Sequence, residues 1–88
     1  MERFEQEIIV GNLHGLHARP AAIFVQIANK FDSSVKIEKD SEVVDGKSII
    51  AVLSLGVSKG TRIRLIIEGN DAEEAGRELK KFLESNNG

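Results

Sequence analysis

The stretch Thr61-Arg62-Ile63-Arg64-Leu65-Ile66-Ile67-Glu68-Gly69-Asn70-Asp71-Ala72-Glu73-Glu74 changes its period half-way, and that change decides the fold. Ile63, Leu65 and Ile67 fall on one face of an extended chain and Arg62 and Arg64 on the other, so Thr61 to Glu68 reads as a strand with one dry side. Gly69-Asn70 turns the chain. Asp71-Ala72-Glu73-Glu74 then has the form of a capping box, and Ala72, Ala75, Leu79, Phe82 and Leu83 follow at helical spacing, with Glu73 and Arg77 placed for an i,i+4 ion pair. Gly76 costs such a helix about 1 kcal/mol relative to alanine, which a close approach of the helix to the sheet would explain.

The same two periods recur on the N-terminal side. Phe4 to Val10 alternates Phe4, Gln6, Ile8 and Val10 against Glu5, Glu7 and Ile9, and Gly11-Asn12 interrupts it: a strand and a turn. From Ala18 to Phe31 the residues Ala21, Phe24, Val25, Ala28 and Phe31 form a single helical stripe. Val35 and Ile37 alternate with Lys36 and Glu38, Lys39-Asp40-Ser41 turns, and Glu42 to Val44 returns as a short strand closed by Asp45-Gly46. Ser48 to Leu55 is mostly apolar, opens on a good N-cap residue and stops at Gly56, as a short helix does. The order is βαββαβα, and with one apolar face per element the economical solution is an α+β fold with the helices on one side of a mostly antiparallel sheet.

Composition narrows the function. Eighty-eight residues make one domain, spanning 1–88, and 28 of them are Ile, Leu, Val or Phe, well above the roughly one-fifth at which a charged chain stays disordered. Twelve basic and 14 acidic residues leave a net charge of −2, so no global field draws the chain to nucleic acid or an anionic membrane, and any anion site must be local. Strands lacking stacking aromatics, in a chain with no Tyr or Trp, also argue against an RNA-binding α+β domain. Without cysteine there are no disulfides or thiolate metal sites. No apolar run approaches the ~18 residues of a spanning helix, and the first residues lack a signal peptide's apolar core; the expectation is a cytoplasmic protein.

Both histidines and the only proline stand together in His14-Gly15-Leu16-His17-Ala18-Arg19-Pro20-Ala21-Ala22, where a loop enters the first helix. Pro20 suits a first helical turn, since its missing N–H is not needed there and its fixed φ is helical. With His17 at the N-cap, the N–H groups of Ala18 and Arg19 lack intrahelical acceptors and point toward the space beside the imidazole. The helix dipole favours negative charge there by about 0.3–1 kcal/mol, and the Arg19 guanidinium adds a fork of donors. A phosphoryl group on His17 would be stabilised by one arginine and two amides, few enough donors to let it go again. Residue types alone leave a plainer reading open, in which His17 only caps the helix, Pro20 starts it and Arg19 is a solvated charge. A metal at His14 and His17 is not expected, because the two imidazoles have no Cys, Asp or Glu nearby, and no Ser or Cys is close enough in sequence to suggest a hydrolytic triad.

Gly15-Leu16-His17-Ala18-Arg19-Pro20-Ala21 resembles the active-site signature of HPr, the histidine-containing phosphocarrier family of the phosphoenolpyruvate-dependent sugar phosphotransferase system (PTS). Lys47-Ser48-Ile49-Ile50-Ala51-Val52-Leu53-Ser54-Leu55-Gly56 resembles the second signature, in its Gram-positive form, and the likeness runs the whole chain as a single HPr domain. The resemblance implies an open-faced β-sandwich, four antiparallel strands in the order 1-4-2-3 covered by three helices. It implies a carrier that is a substrate of enzymes rather than an enzyme: His17 accepts a phosphoryl group on Nδ1 from enzyme I and passes it to the enzyme IIA domains of sugar permeases, with Arg19 supporting the phosphate. No cofactor is implied. His14 stands where the family often has a small polar residue or leucine and is read as a solvated loop residue; Ile50-Ala51 replaces Met-Gly or Phe-Lys types, a change bearing on partner choice rather than fold.

At 100° per residue, Ile49, Ile50 and Leu53 share one sector of the second helix, and Val52 and Leu55 occupy another. If the second sector packs on the sheet, the first is an exposed apolar cluster, the usual mark of a partner surface, although an overpacked core or a homodimer contact gives the same pattern. In the HPr family this patch meets enzyme I and enzyme IIA, and Ala22, Ile23 and Gln26 are candidate neighbours in it. Ser48 reads as an N-cap. In Gram-positive relatives the matching serine is also phosphorylated by an ATP-dependent HPr kinase/phosphorylase, and the product is a corepressor with catabolite control protein A. A phosphate there would put about −1.5 to −2 charge beside the apolar patch and repel an acidic partner. The expected state is a monomer. Two rivals share the fold: a regulatory HPr-like binding module that lacks the active histidine, against which His17 speaks, and a nitrogen-PTS paralogue, against which Ser48-Ile49 speaks.

Overall fold

Alternation builds the sheet. In the computed structural model, which describes residues 2–12 and 15–85, β1 (Arg3–Ile9), β2 (Ser34–Lys39), β3 (Glu42–Asp45) and β4 (Arg62–Glu68) form one antiparallel sheet ordered β1-β4-β2-β3. Helices α1 (Ala18–Ala28), α2 (Ile49–Ser54) and α3 (Ala72–Glu84) complete the order βαββαβα. The register sets Phe4 and Val35 opposite Ile67, Ile37 opposite Leu65 and Ile8 opposite Ile63, so the apolar sets of three strands share one face. That face is buried under Ala21, Phe24 and Ala28 of α1, Val52 of α2, and Ala72, Ala75, Leu79 and Leu83 of α3. The other face is open. This is the open-faced sandwich, with strands in the order 1-4-2-3, that the resemblance implied, and the helices lie on one side of the sheet as the order of elements suggested.

Local chemistry explains most of the boundaries. Asp40 and Ser41, at φ 51° and 71°, make the two-residue left-handed turn that matches the twist of the β2–β3 hairpin. Gly56, at φ 69°, ends α2. A Cβ at Gly76 would fall within the ring of Phe4, so alanine's better helix propensity is given up for contact between α3 and β1, as the sequence suggested.

Three expectations are corrected. Helix α1 ends at Ala28 rather than Phe31: the Asn29 N–H and Nδ2 both donate to Val25 O at 2.9 Å, Lys30 and Phe31 turn back onto Ile27 O and Ala28 O, and Phe31 stays buried beyond the helix. The apolar stripe therefore outlasts the helix. Asp71 does not cap its own helix through its side chain. Its carboxylate accepts instead from the Ser33 hydroxyl, from Asp32 N–H at 2.9 Å and from Ser33 N–H at 2.9 Å, tying the turn before β2 to the start of α3. Those donors, the Ser33 hydroxyl first, hold the Asp71 carboxyl below the usual aspartate range. Glu73 and Arg77 form no ion pair, as is common for exposed pairs that gain little from meeting; α3 instead meets the turn after α1 through Lys30–Glu78 at 3.1 Å.

Charge fills the open face. Arg3 meets Glu5 and Glu68, Arg64 meets Glu5, Glu7 and Glu38, and Arg62 meets Glu7, all within 4 Å. Arg3 first and then Arg64 lower the Glu5 carboxyl from its ordinary value.

Candidate functional site

The loop after β1 delivers His17 to the N-cap of α1 with extended backbone, φ −75° and ψ −173°, while its carbonyl accepts the first helical bond from Ala21 N–H at 2.8 Å. Its imidazole is exposed and makes no capping hydrogen bond. The side chain is therefore spare, which removes the reading of His17 as a side-chain cap. Pro20 is buried in the first turn. The N–H groups of Ala18 and Arg19 have no acceptor among the described residues, and the exposed Arg19 side chain has no ion pair or hydrogen bond there. Two amides at the positive end of an 11-residue helix and the exposed guanidinium side chain of Arg19 in its first turn make an electropositive surface beside the imidazole. Such an array can receive an anionic group on nitrogen without first breaking another bond.

Helix α2 supplies the neighbouring surface. Val52 and Leu55 are buried, whereas Ile50 is 77% exposed and Ile49 and Leu53 are each 39% exposed. Helix α1 packs beside α2 and presents Ile23 and Gln26 exposed and Ala22 half-buried. The six candidate docking residues thus lie, exposed or half-buried, on two helices that pack against each other. Ser48 stands at the N-cap of α2, and its hydroxyl accepts from Ala51 N–H at 3.3 Å. His14 lies outside the described residues. Among the described residues no cluster of His, Asp and Glu could hold a metal, and no helix is long and apolar enough to cross a membrane.

The sequence reading passed over the bracing of this site. Leu16 N–H donates to Val57 O at 2.9 Å, joining the His17 loop to the exit of α2. Lys39 Nζ donates to Leu55 O at 3.2 Å and Gly56 O at 3.0 Å, closing the same end of α2 from the sheet. At the other end, Lys47 Nζ donates to Phe31 O at 2.7 Å. A signal for Lys39 was present: it continues the Val35, Ile37 parity and so puts a lysine on the covered side of β2.

A family model described as the PTS HPr component phosphorylation site matches residues 4–85. The chain belongs to the HPr family. It is similar to the HPr-like protein Crh of Halalkalibacterium halodurans, 49% identical over 80 residues that cover 91% of this chain and 95% of that protein. Its fold superposes on the crystal structure of the phosphocarrier protein HPr from Bacillus anthracis with a TM-score of 0.91, at 41% identity, over 94% of this chain and 99% of that one. It also matches the Bacillus subtilis catabolite repression protein Crh, described as a domain-swapped dimer, with a TM-score of 0.75 and 50% identity over 80% of each chain. Membership makes this an HPr-like phosphocarrier protein of the phosphotransferase system, and PTS proteins such as enzyme I and enzyme IIA are the partners that the family implies.

Proposed function

We propose that this chain, as a single 1–88 domain and a cytoplasmic monomer, carries phosphoryl groups on His17 from enzyme I to the enzyme IIA domains of sugar permeases. The observation that carries the reading is the exposed imidazole of His17, which makes no capping hydrogen bond, beside the Ala18 and Arg19 amides, which have no acceptor among the described residues, and the exposed Arg19 side chain. The Nδ1 lone pair attacks phosphorus, the bond from phosphorus to the donor breaks as the new one forms, and the same exchange in reverse delivers the group to the acceptor. The amides and Arg19 hold the equatorial oxygens during both steps. Ala22, Ile23, Gln26, Ile49, Ile50 and Leu53 seat the protein partners, and Ser48 is a second phosphorylation point, served by an ATP-dependent HPr kinase/phosphorylase and read by catabolite control protein A.

Incubation with phosphoenolpyruvate, Mg2+ and enzyme I, followed by phosphorus NMR and mass analysis, is expected to show an acid-labile phosphoryl group on wild type and none on His17→Ala. Similarity to Crh favours one second reading, a module that works in catabolite repression through Ser48 alone. A folded wild-type protein that takes nothing from enzyme I, yet is labelled at Ser48 by the ATP-dependent kinase, would establish that reading and remove the first.

A further inference from the structure

Helix α2 has six residues, too few to hold together in water unaided, and no basic side chain of its own in its last turn. Its final carbonyls are met from the sheet. Lys39 ends β2 on the same side as buried Val35 and Ile37, and its ammonium reaches Leu55 O and Gly56 O, a cation at the negative end of the helix dipole. The next residue, Val57, accepts from Leu16 N–H, and Leu16 precedes His17. A Cβ at Gly15 would collide with the backbone of Val57 and Ser58, so the loop lies directly on this turn. Leu16, Leu55 and Val57 are buried at the junction, which leaves little room for one part to move without the others.

We propose that Lys39 is a positioning residue for phosphoryl transfer: by fixing the exit of α2, it sets the apolar docking face of that helix against His17 through Val57 and Leu16. The proposal rests on the His17 relay proposed above. Lys36 offers an internal control, since it lies on the same strand, is exposed on the open face and carries the same charge.

Three variants test it. Lys39→Met keeps most of the stem and removes the donors, Lys39→Arg keeps a charged donor, and Lys36→Met removes a charge from the opposite face. In transfer from enzyme I, Lys39→Met should raise the KM for this protein about fivefold with kcat within about twofold of wild type, while Lys39→Arg restores most of the loss and Lys36→Met matches wild type. On the same proteins, the Leu16 amide should exchange hydrogen about tenfold faster in Lys39→Met only. Unchanged KM and unchanged Leu16 exchange would overturn the proposal, as would lowered thermal stability with KM intact. If Lys39→Met does not fold, Lys39→Gln replaces it under the same criteria. If wild type accepts no phosphoryl group at all, the relay reading fails, and Leu16 exchange by itself decides whether Lys39 braces the loop.

Discussion

The open face of the sheet and the helical face beside His17 have opposite habits. On the first, Arg3, Arg62 and Arg64 reach Glu5, Glu7, Glu38 and Glu68, so the charges spend themselves on one another. On the second, a histidine, an arginine, two backbone amides and three exposed residues of α2 have been left facing solvent. The charges of the paired face are largely satisfied within it, although Ile9 and Val43 are exposed there too. The unpaired face keeps its interactions in reserve, and a phosphocarrier that must engage and release several proteins requires such a reserve.

If that contrast is real, a charge inserted into the unpaired face should cost function and leave the fold alone. Ile50→Glu, at the most exposed apolar position of α2, is expected to raise KM for transfer from enzyme I about tenfold or more, with the thermal midpoint unchanged within a few degrees. Equal transfer kinetics in the variant would take α2 out of the docking surface.

Acid should act in the opposite sense, on stability rather than docking. Glu5 on the open face and Asp71 at the start of α3 have carboxyls held below their ordinary values by paired donors. Below the usual carboxylate pKa of about 4, the unfolded chain binds protons that the folded chain refuses, so stability present at neutral pH is lost as pH falls through the folded values. Urea midpoints between pH 7 and pH 2 should show this decline, with a shallower slope in Asp71→Asn; parallel curves for the two proteins would remove Asp71 from the account.

The smallest effect belongs to the arginine at the centre of the ion-pair lattice. Exposed pairs are screened and flexible, so Arg64→Met should lower the thermal midpoint by no more than about 4 °C, and the difference should shrink in 1 M salt. A larger, salt-independent loss would mean that the open face contributes to the core rather than merely covering it.

What could be read from the chain follows the range of each interaction. The Ile63, Leu65, Ile67 alternation and the Ala21, Phe24, Ala28 stripe are local patterns, and the structure follows them. Asp71 and Asn29 show where such reading stops. A capping-box pattern is also local, but the Asp71 carboxylate had better donors in Asp32 and Ser33, 39 and 38 residues away, and these won. The side chain of Asn29 ended α1 while the apolar stripe ran on to Phe31. At the candidate site, residue types and spacing placed His17 and Arg19 at the start of α1 and an apolar cluster on α2 but left their roles open, and the resemblance to HPr supplied the roles. For Lys39 only its parity with Val35 and Ile37 was legible; its partners, backbone carbonyls 16 and 17 positions on, were not.

Strand β4 lies between β1 and β2, with Ile9 opposite Arg62 and Arg3 opposite Glu68. Synthesis therefore makes α1, the β2–β3 hairpin and α2 before β4, the sheet partner of β1. Through that interval Phe4 and Ile8 have no sheet to lie on, and the carboxylates of Glu5 and Glu7, interleaved with them, guard a waiting edge against stray pairing. Arg62 to Glu68 pairs with β1 on one side and β2 on the other, joining both ladders into one sheet. The sheet cannot close until this late central strand is available, so most of the chain must be present before β1 has a partner.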